Sequence, residues 1–405
     1  MKSIRGIYKI GKGPSSSHTM GPERAARIFM ERHPEASSYR VTLFDSLSKT
    51  GRGHGTDRVL YEVLGKERTI VIFAPQQQEP LPHPNTLDFI AYNEEKKIIG
   101  KMRVFSVGGG DIVIEGEPVS ENADTYPENS FAEIAQFCHW RYITLPEYVE
   151  LNEGPEIWDF LAEIWRTMKR AITRGLHAEG ILPGGLRVER KAKHLFAQEK
   201  ETELPQVQEL RLVCSYAYAV AEENADNGVI VTAPTCGACG VLPAVLLYMQ
   251  ERHNIPDEKV LEALAVAGLI GTLVKRNASI SGAECGCQAE IGTACSMAAA
   301  ALCTLLDMSI AETEYAAEIA MEHQLGLTCD PICGLVQVPC IERNAVAAKR
   351  AMDAFNLASF LTGTRNISFD MVVRTMKETG IHINSRFRET SEGGLAKFYE
   401  RRSAR

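Results

Sequence analysis

From about residue 150 to residue 364 the sequence is a succession of Ala- and Leu-rich segments, interrupted only by loops of Gly, Pro and Cys. Segments such as Ala263–Val274 and Met297–Leu306 are apolar on every face. A helix that is apolar all round must be buried among other helices. This stretch therefore demands a compact, all-helical body. Pro155–Gly180 opens it, with Ile157, Trp158, Leu161, Ile164, Trp165, Met168, Ile172 and Leu176 at helical spacing. The first 150 residues read differently. Tyr39–Phe44, Thr69–Phe73, Lys97–Val107 and Asp111–Glu115 are short β-branched or aromatic runs that predict strands. Gly108-Gly109-Gly110 forms a turn between the last two, and Glu23–Arg32, Thr56–Leu64 and Phe131–Trp140 predict helices. The expected fold class is an α+β N-terminal domain, residues 1–150, followed by a mostly all-α domain, residues 151–405, with the boundary somewhere in 142–156.

The chain has 405 residues, 45% hydrophobic and 24% charged, with a formal net charge of −8. That balance is of an ordinary globular protein and argues against a nucleic-acid partner, which calls for a basic face. The basic runs Arg187–Lys193 and Arg401, Arg402, Arg405 read as solvated surface. No segment reaches the roughly 18 apolar residues of a membrane span, and the N-terminus lacks the apolar core of an export signal. A cytoplasmic protein is expected, in which the eleven cysteines are not a disulfide framework. Cys138 and Cys214 stand alone, while the other nine fall between Cys236 and Cys340. Such clustering points to a soft-metal or redox site.

Four motifs carry chemistry. In Gly13–Pro22 (GPSSSHTMGP), Ser15, Ser16, Ser17, His18 and Thr19 precede a helix expected to start at Pro22. Free N–H groups there suit a carboxylate, though plain helix capping is the simpler alternative. In Ser46–Asp57 (SLSKTGRGHGTD), His54 lies between two glycines in a strand-to-helix loop, a fair place for a general base or merely an exposed histidine. In Thr232–Leu242 (TAPTCGACGVL), Cys236 and Cys239 are spaced as a redox dithiol or half a zinc site. No second such pair follows, and the helical surroundings do not suit a thioredoxin-like site. The fourth motif is split between Ser279–Ser296 (SISGAECGCQAEIGTACS) and Gly326–Asn344 (GLTCDPICGLVQVPCIERN), both rich in Cys, Gly and Pro. Thiolates in such loops hold iron–sulfur clusters, whereas Cys295 and Cys303, on an Ala-rich helix, read as small buried hydrophobes.

Taken in order, these motifs closely resemble the iron–sulfur-dependent L-serine dehydratases (L-serine ammonia-lyases), in their single-chain form, from residue 13 to residue 345. The resemblance implies a [4Fe-4S] cluster held by Cys287, Cys329 and Cys340, with one iron left open, and it places the family's two histidines on His18 and His54. It implies L-serine as the small-molecule substrate and pyruvate and ammonia as products. On that reading His54 or His18 removes the Cα proton, His54 being favoured, and Ser15, Ser16, Ser17 and Thr19 hold the carboxylate. The site should lie where the two domains meet. The sequence departs from the family at Arg52, where Lys is commoner, at Cys236, where many relatives have Asn, and at Cys239, where they have a small residue. It also ends Arg402-Ser403-Ala404-Arg405, without the terminal cysteine that reaches the cluster in some relatives. A pyridoxal-phosphate enzyme would need a Schiff-base lysine, for which only Lys275 lies near the motifs, and a cluster-bearing amino-acid or oxygen sensor would have no use for the histidine pair. Assembly as a homo-oligomer, the preference between serine and threonine, and the division of labour between the histidines are left open.

Overall fold

The computed structural model describes residues 1–74, 81–118, 124–198 and 202–403. Arg405 lies outside the described residues, as do the side chains of Arg401 and Arg402. The α+β part is built on a five-stranded sheet of order β3-β2-β4-β5-β6, comprising β2 (Ser38–Leu43), β3 (Thr69–Phe73), β4 (Thr86–Tyr92), β5 (Ile98–Ser106) and β6 (Ile112–Ile114). β2 and β3 are parallel and the remaining pairs antiparallel. β2 alternates buried and half-buried residues, which gives the sheet one apolar face. Tyr39, Val41, Leu43, Leu87, Phe89 and Val104 on that face pack against Ala25, Ala26 and Phe29 of the helix Gly21–Arg32 and Leu60 and Leu64 of the helix Thr56–Leu64. β4 is a strand that the sequence reading passed over, because Asp88 interrupts its apolar run. Arg103 on β5 closes a two-pronged ion pair with Asp88 at 2.7 and 2.8 Å, which makes a charged pair tolerable there. The three glycines after β5 all have positive φ (91°, 58° and 79°), and they close the turn into β6.

The helical body is centred on the helix Thr293–Leu305, in which every residue is buried. Its alanines let Asp257–Asn277, Ile310–Glu322 and Cys340–Leu361 approach closely. The core of this body is not confined to the second half of the chain. Met1, Ile4, Ile7 and Tyr8 belong to it, as do Phe131, Ile134 and Cys138 of the helix Phe131–Arg141 and Tyr148 and Val149 of Leu145–Glu153. A two-stranded ribbon, β1 (Ile10–Lys12) against β7 (Val229–Val231), then carries the chain out of this core to the histidine motif. Among the described residues no helix is long and apolar enough to cross a membrane. The run Arg187–Lys193, expected to be solvated surface, includes a side chain that is not: Arg190 is buried on Glu223 (3.2 Å) and Asp226 (2.7 Å).

Candidate active site

The serine-histidine motif does not lead to a helix that starts at Pro22. Ser16–Met20 is a π-helical turn running straight into Gly21–Arg32, and Ser15 is its cap, accepting from the His18 backbone N–H at 3.1 Å. The N-terminal end of the helical segment thus falls on the serines themselves. A second π-helical turn, Gln288–Gly292, follows Cys287. Such turns are rare and concentrate at functional sites. Here each one widens the helix beside a predicted site residue.

The two histidine loops are stitched to each other. Thr19 Oγ1 donates to the His54 carbonyl (2.8 Å) and Thr56 Oγ1 to the His18 carbonyl (2.6 Å). The rings lie 4.4 Å apart, centroid to centroid, and both are fully buried. Their tautomers follow from the partners. His54 Nδ1 is 2.9 Å from the Thr50 carbonyl, which can only accept, so Nδ1 carries the proton and Nε2 is bare. Thr50 Oγ1 donates to Ser46 O, and Ser46 Oγ donates to Glu389 O, each at 2.9 Å. Both hydroxyls are thereby left as acceptors for His18 Nε2, at 3.0 and 3.2 Å. His18 Nδ1 is the bare nitrogen, with Ser17 Oγ 2.9 Å away. Burial lowers the pKa of His54 to about 4 and, with His54 as neighbour, pushes His18 well below the usual histidine range. Both rings are neutral at neutral pH.

Across the seam lie the cysteines. No disulfide joins any of the eleven. Cys287, Cys329 and Cys340 come together as one electrostatic unit with Arg343. The hydrogen bond between Cys287 and Cys329 draws Cys287 down to about 6 against the opposing effect of burial, with help from Arg343, which also hydrogen-bonds to the Cys287 sulfur. The same bond and burial push Cys329 up, and burial pushes Cys340 up. Arg343 is held in place by Thr328 O (2.7 Å) and Asp330 (3.3 Å). Gly282 lines this pocket: a Cβ there would stand 3.2 Å from the Cys329 sulfur and 2.8 Å from the Glu290 carboxylate. Three converging thiols beside one half-buried guanidinium are a donor set suited to an iron–sulfur cluster, whose thiolates a fixed positive charge stabilises. The other cysteines are placed elsewhere. Cys295 and Cys303 lie within the buried helix Thr293–Leu305, their sulfurs on Ala347 O and Glu312 O. Cys236 and Cys239 are buried, and burial pushes both thiols up, which suits inert packing rather than a redox pair.

The sequence reading missed four residues here. Thr50 and Ser46 lie in its second motif and fix the histidine tautomers, and Arg343 lies in its fourth. Glu389, remote from every motif, is 6% exposed and sits at φ 58°, an unusual backbone for a residue with a side chain. Its segment pairs with the loop of Cys329, with Cys329 N on Phe387 O (2.7 Å) and Glu389 N on Cys329 O (2.8 Å). Its carboxylate faces His18 Nδ1 at 3.5 Å and His54 Nε2 at 3.7 Å. Burial first, then Glu290 and Cys287, push its pKa up. A cavity of about 340 Å³ between the histidine loop and the loop of Cys333 is lined by Pro14, Arg52, Gly53, Arg58 and Cys333, with Arg52 stacked 4.2 Å over Phe73. A larger cavity, about 940 Å³, contains none of these residues. Lys275 lines that one, bound to Asp111 at 2.6 Å, so it is not placed to serve the site as a Schiff-base lysine.

Comparison with known families settles the kinship. Residues 86–396 match the model of the serine dehydratase alpha chain, and residues 3–71 that of the beta chain. The chain belongs to the serine dehydratase family. Relatives named L-serine dehydratase in Streptomyces coelicolor (40% identical, over 97% of this chain and 98% of theirs) and Helicobacter pylori (36%, 98% and 98%) align from end to end, as does L-serine dehydratase 1 of Escherichia coli (39%, 98% and 99%). The site described above therefore spans both family segments, the histidines falling in the beta-like part and the thiols, Arg343 and Glu389 in the alpha-like part.

Proposed function

We propose that this chain is an iron–sulfur-dependent L-serine dehydratase, a lyase that converts L-serine to pyruvate and ammonia in the cytoplasm. The observation that carries the reading is the bare Nε2 of a buried, neutral His54 set across a seam from three convergent thiols. Cys287, Cys329 and Cys340 would hold a [4Fe-4S] cluster. Bound there with one iron lacking a protein ligand, it supplies Lewis acidity toward the departing hydroxyl.

The chain's own residues do the rest. Thr50 O fixes the His54 tautomer, so Nε2 faces the site as the base and takes the Cα proton. The helical start at Ser15, Ser16 and Ser17, with Thr19 bracing the neighbouring loop, receives the substrate carboxylate. Loss of the Cα proton and of hydroxide leaves aminoacrylate and one water. The aminoacrylate tautomerises to the imine, and water hydrolyses it to pyruvate and ammonia. The division of labour between the two parts of the chain follows, the sheet-containing part bringing the base and the helical part the thiols.

The test is anaerobic purification followed by assay of pyruvate from L-serine, before and after exposure to air. Turnover that air abolishes and ferrous iron restores is the expected result. Turnover by colourless, air-stable protein would remove the cluster from the reading, and brown protein that forms no pyruvate would remove L-serine.

A further inference from the structure

The mechanism above leaves one charged group of the substrate unaccounted for, the α-ammonium, and leaves one buried carboxylate without a use. The proton count connects them. His18 Nε2 carries its ring proton toward Thr50 and Ser46, and His54 Nδ1 carries its own toward the Thr50 carbonyl. The nitrogens left bare both face Glu389, and the three ligand atoms lie within 4.8 Å of one another. Three buried polar atoms thus converge, and among the described residues the Ser17 hydroxyl at His18 is the one further hydrogen-bond partner beside them. Converging acceptors at this depth call for a donor with a positive charge.

An ammonium group is such a donor. It has three N–H bonds in tetrahedral array, and acceptors at ordinary hydrogen-bond length around it stand about 4.6 Å apart; Glu389 stands 3.5 and 3.7 Å from the two bare nitrogens, so its carboxylate would draw back by about 1 Å to admit the group. It is also one bond from the carbon whose proton His54 is placed to take, so an ammonium held against Glu389 and His18 brings Cα to His54 Nε2. We infer that Glu389, with His18, receives the α-ammonium of the substrate, and that Glu389 is the residue by which this site requires an amino acid rather than its deaminated counterpart. The inference rests on the L-serine reading and assigns His18 to binding and His54 to the base. It also gives a use to a buried side chain on a left-handed backbone, a costly arrangement that a site maintains.

The experiment compares two inhibitors of equal carbon skeleton, L-alanine and propionate, against L-serine turnover by the anaerobic holoenzyme. The wild-type protein should bind L-alanine at least about tenfold more tightly than propionate, as a buried charge pair demands. In Glu389→Gln the ratio should fall toward one and KM for L-serine should rise on the order of tenfold or more, while Glu389→Asp keeps part of the preference. Equal affinities in the wild-type protein overturn the inference whether or not the variants fold, and so does an unchanged ratio in Glu389→Gln. A divalent cation bound in addition to cluster iron and lost in Glu389→Gln would also overturn it, since the three acceptors would then be a metal site. Absence of pyruvate from wild-type protein is a different failure, that of the L-serine reading itself.

Discussion

Gly53 is where the two halves of the site touch backbone to backbone. A Cβ at this position would stand 2.5 Å from the Gly334 carbonyl oxygen, 2.7 Å from its carbon and 2.8 Å from the Cys333 oxygen. Carbon contacts are comfortable from about 3.5 Å, so Gly53→Ala must part the histidine loop from the Cys333-Gly334 loop by about 1 Å. Neither side can yield by a rotamer change, because every clashing atom is main chain. Overpacking of this kind costs about 1–3 kcal/mol of stability. The larger effect should be on rate, since a misplacement of about 1 Å in a reacting geometry is worth about 10²-fold, or roughly 2.7 kcal/mol of barrier. The assay is kcat for L-serine on anaerobic holoenzyme, with iron content and thermal unfolding measured on the same sample. A suitable control is Gly180→Ala, where φ is +103° and nothing lies within 4 Å; it should lose stability through backbone strain and keep its kcat. A Gly53→Ala enzyme with kcat within about threefold of wild type would refute the claim that this contact sets the distance from His54 to the thiols.

The depressed pKa of His54 makes a prediction about acid stability. The folded protein keeps the ring neutral down to about 4, whereas the unfolded chain protonates it near the ordinary 6.5, so the unfolded state binds more protons in that window. Stability from this group is whole above pH 6.5 and falls by on the order of 3 kcal/mol as pH drops toward 4, and His54→Gln should flatten the pH slope in denaturant unfolding. Cys329→Ser should lose iron and the visible absorbance of the cluster, whereas Cys295→Ser should retain both; equal loss in the two would undo the ligand assignment. Fragments 1–150 and 151–405 should each fail to form pyruvate, the second also melting early because Met1, Ile4, Tyr8 and the helices Phe131–Arg141 and Leu145–Glu153 complete its core. Turnover by the second fragment alone would contradict a site built from both.

The strands and helices were legible where the sequence keeps a clean period. Tyr39–Phe44 and Thr69–Phe73 alternate or run in β-branched residues and are strands; Thr56–Leu64 has helical spacing and is a helix over that span. β4 was hidden because its Asp88 finds Arg103 only across the ladder. The start of the helix after His18 was misplaced at Pro22 because proline is a strong local signal for a first turn, and no local signal announces a π-helical turn ahead of it. His18 and His54 stood out by their glycines and hydroxyls. Glu389 did not, since one carboxylate in an Arg-Glu-Thr-Ser run looks like surface until the chain returns to lay it beside Cys329.

The cysteines show how one residue type is given two fates by the backbone beneath it. On a continuous helix, side chains leave at fixed angles, so Cys295 and Cys303 on Thr293–Leu305 can only fill space among alanines. Cys287, Cys329 and Cys340 each stand where regular structure begins or breaks: Cys287 as the cap of a π-helical turn, Cys329 in an isolated bridge to Arg388, Cys340 as the first residue of its helix. Only such positions let three sulfurs from distant parts of the sequence aim at one point. The glycines around them give these positions their room. Gly282 leaves room beside the Cys329 sulfur, and Gly394 packs so tightly on Asp330, which in turn steadies Arg343, that a Cβ there would stand 2.1 Å from its carboxylate. The same tight backbone contact that aims the sulfurs carries the segment of Glu389 into the site. If Cys329 holds iron and Glu389 the substrate, the bridge from Cys329 to Arg388 couples the two, and a change that loosens it should impair both together.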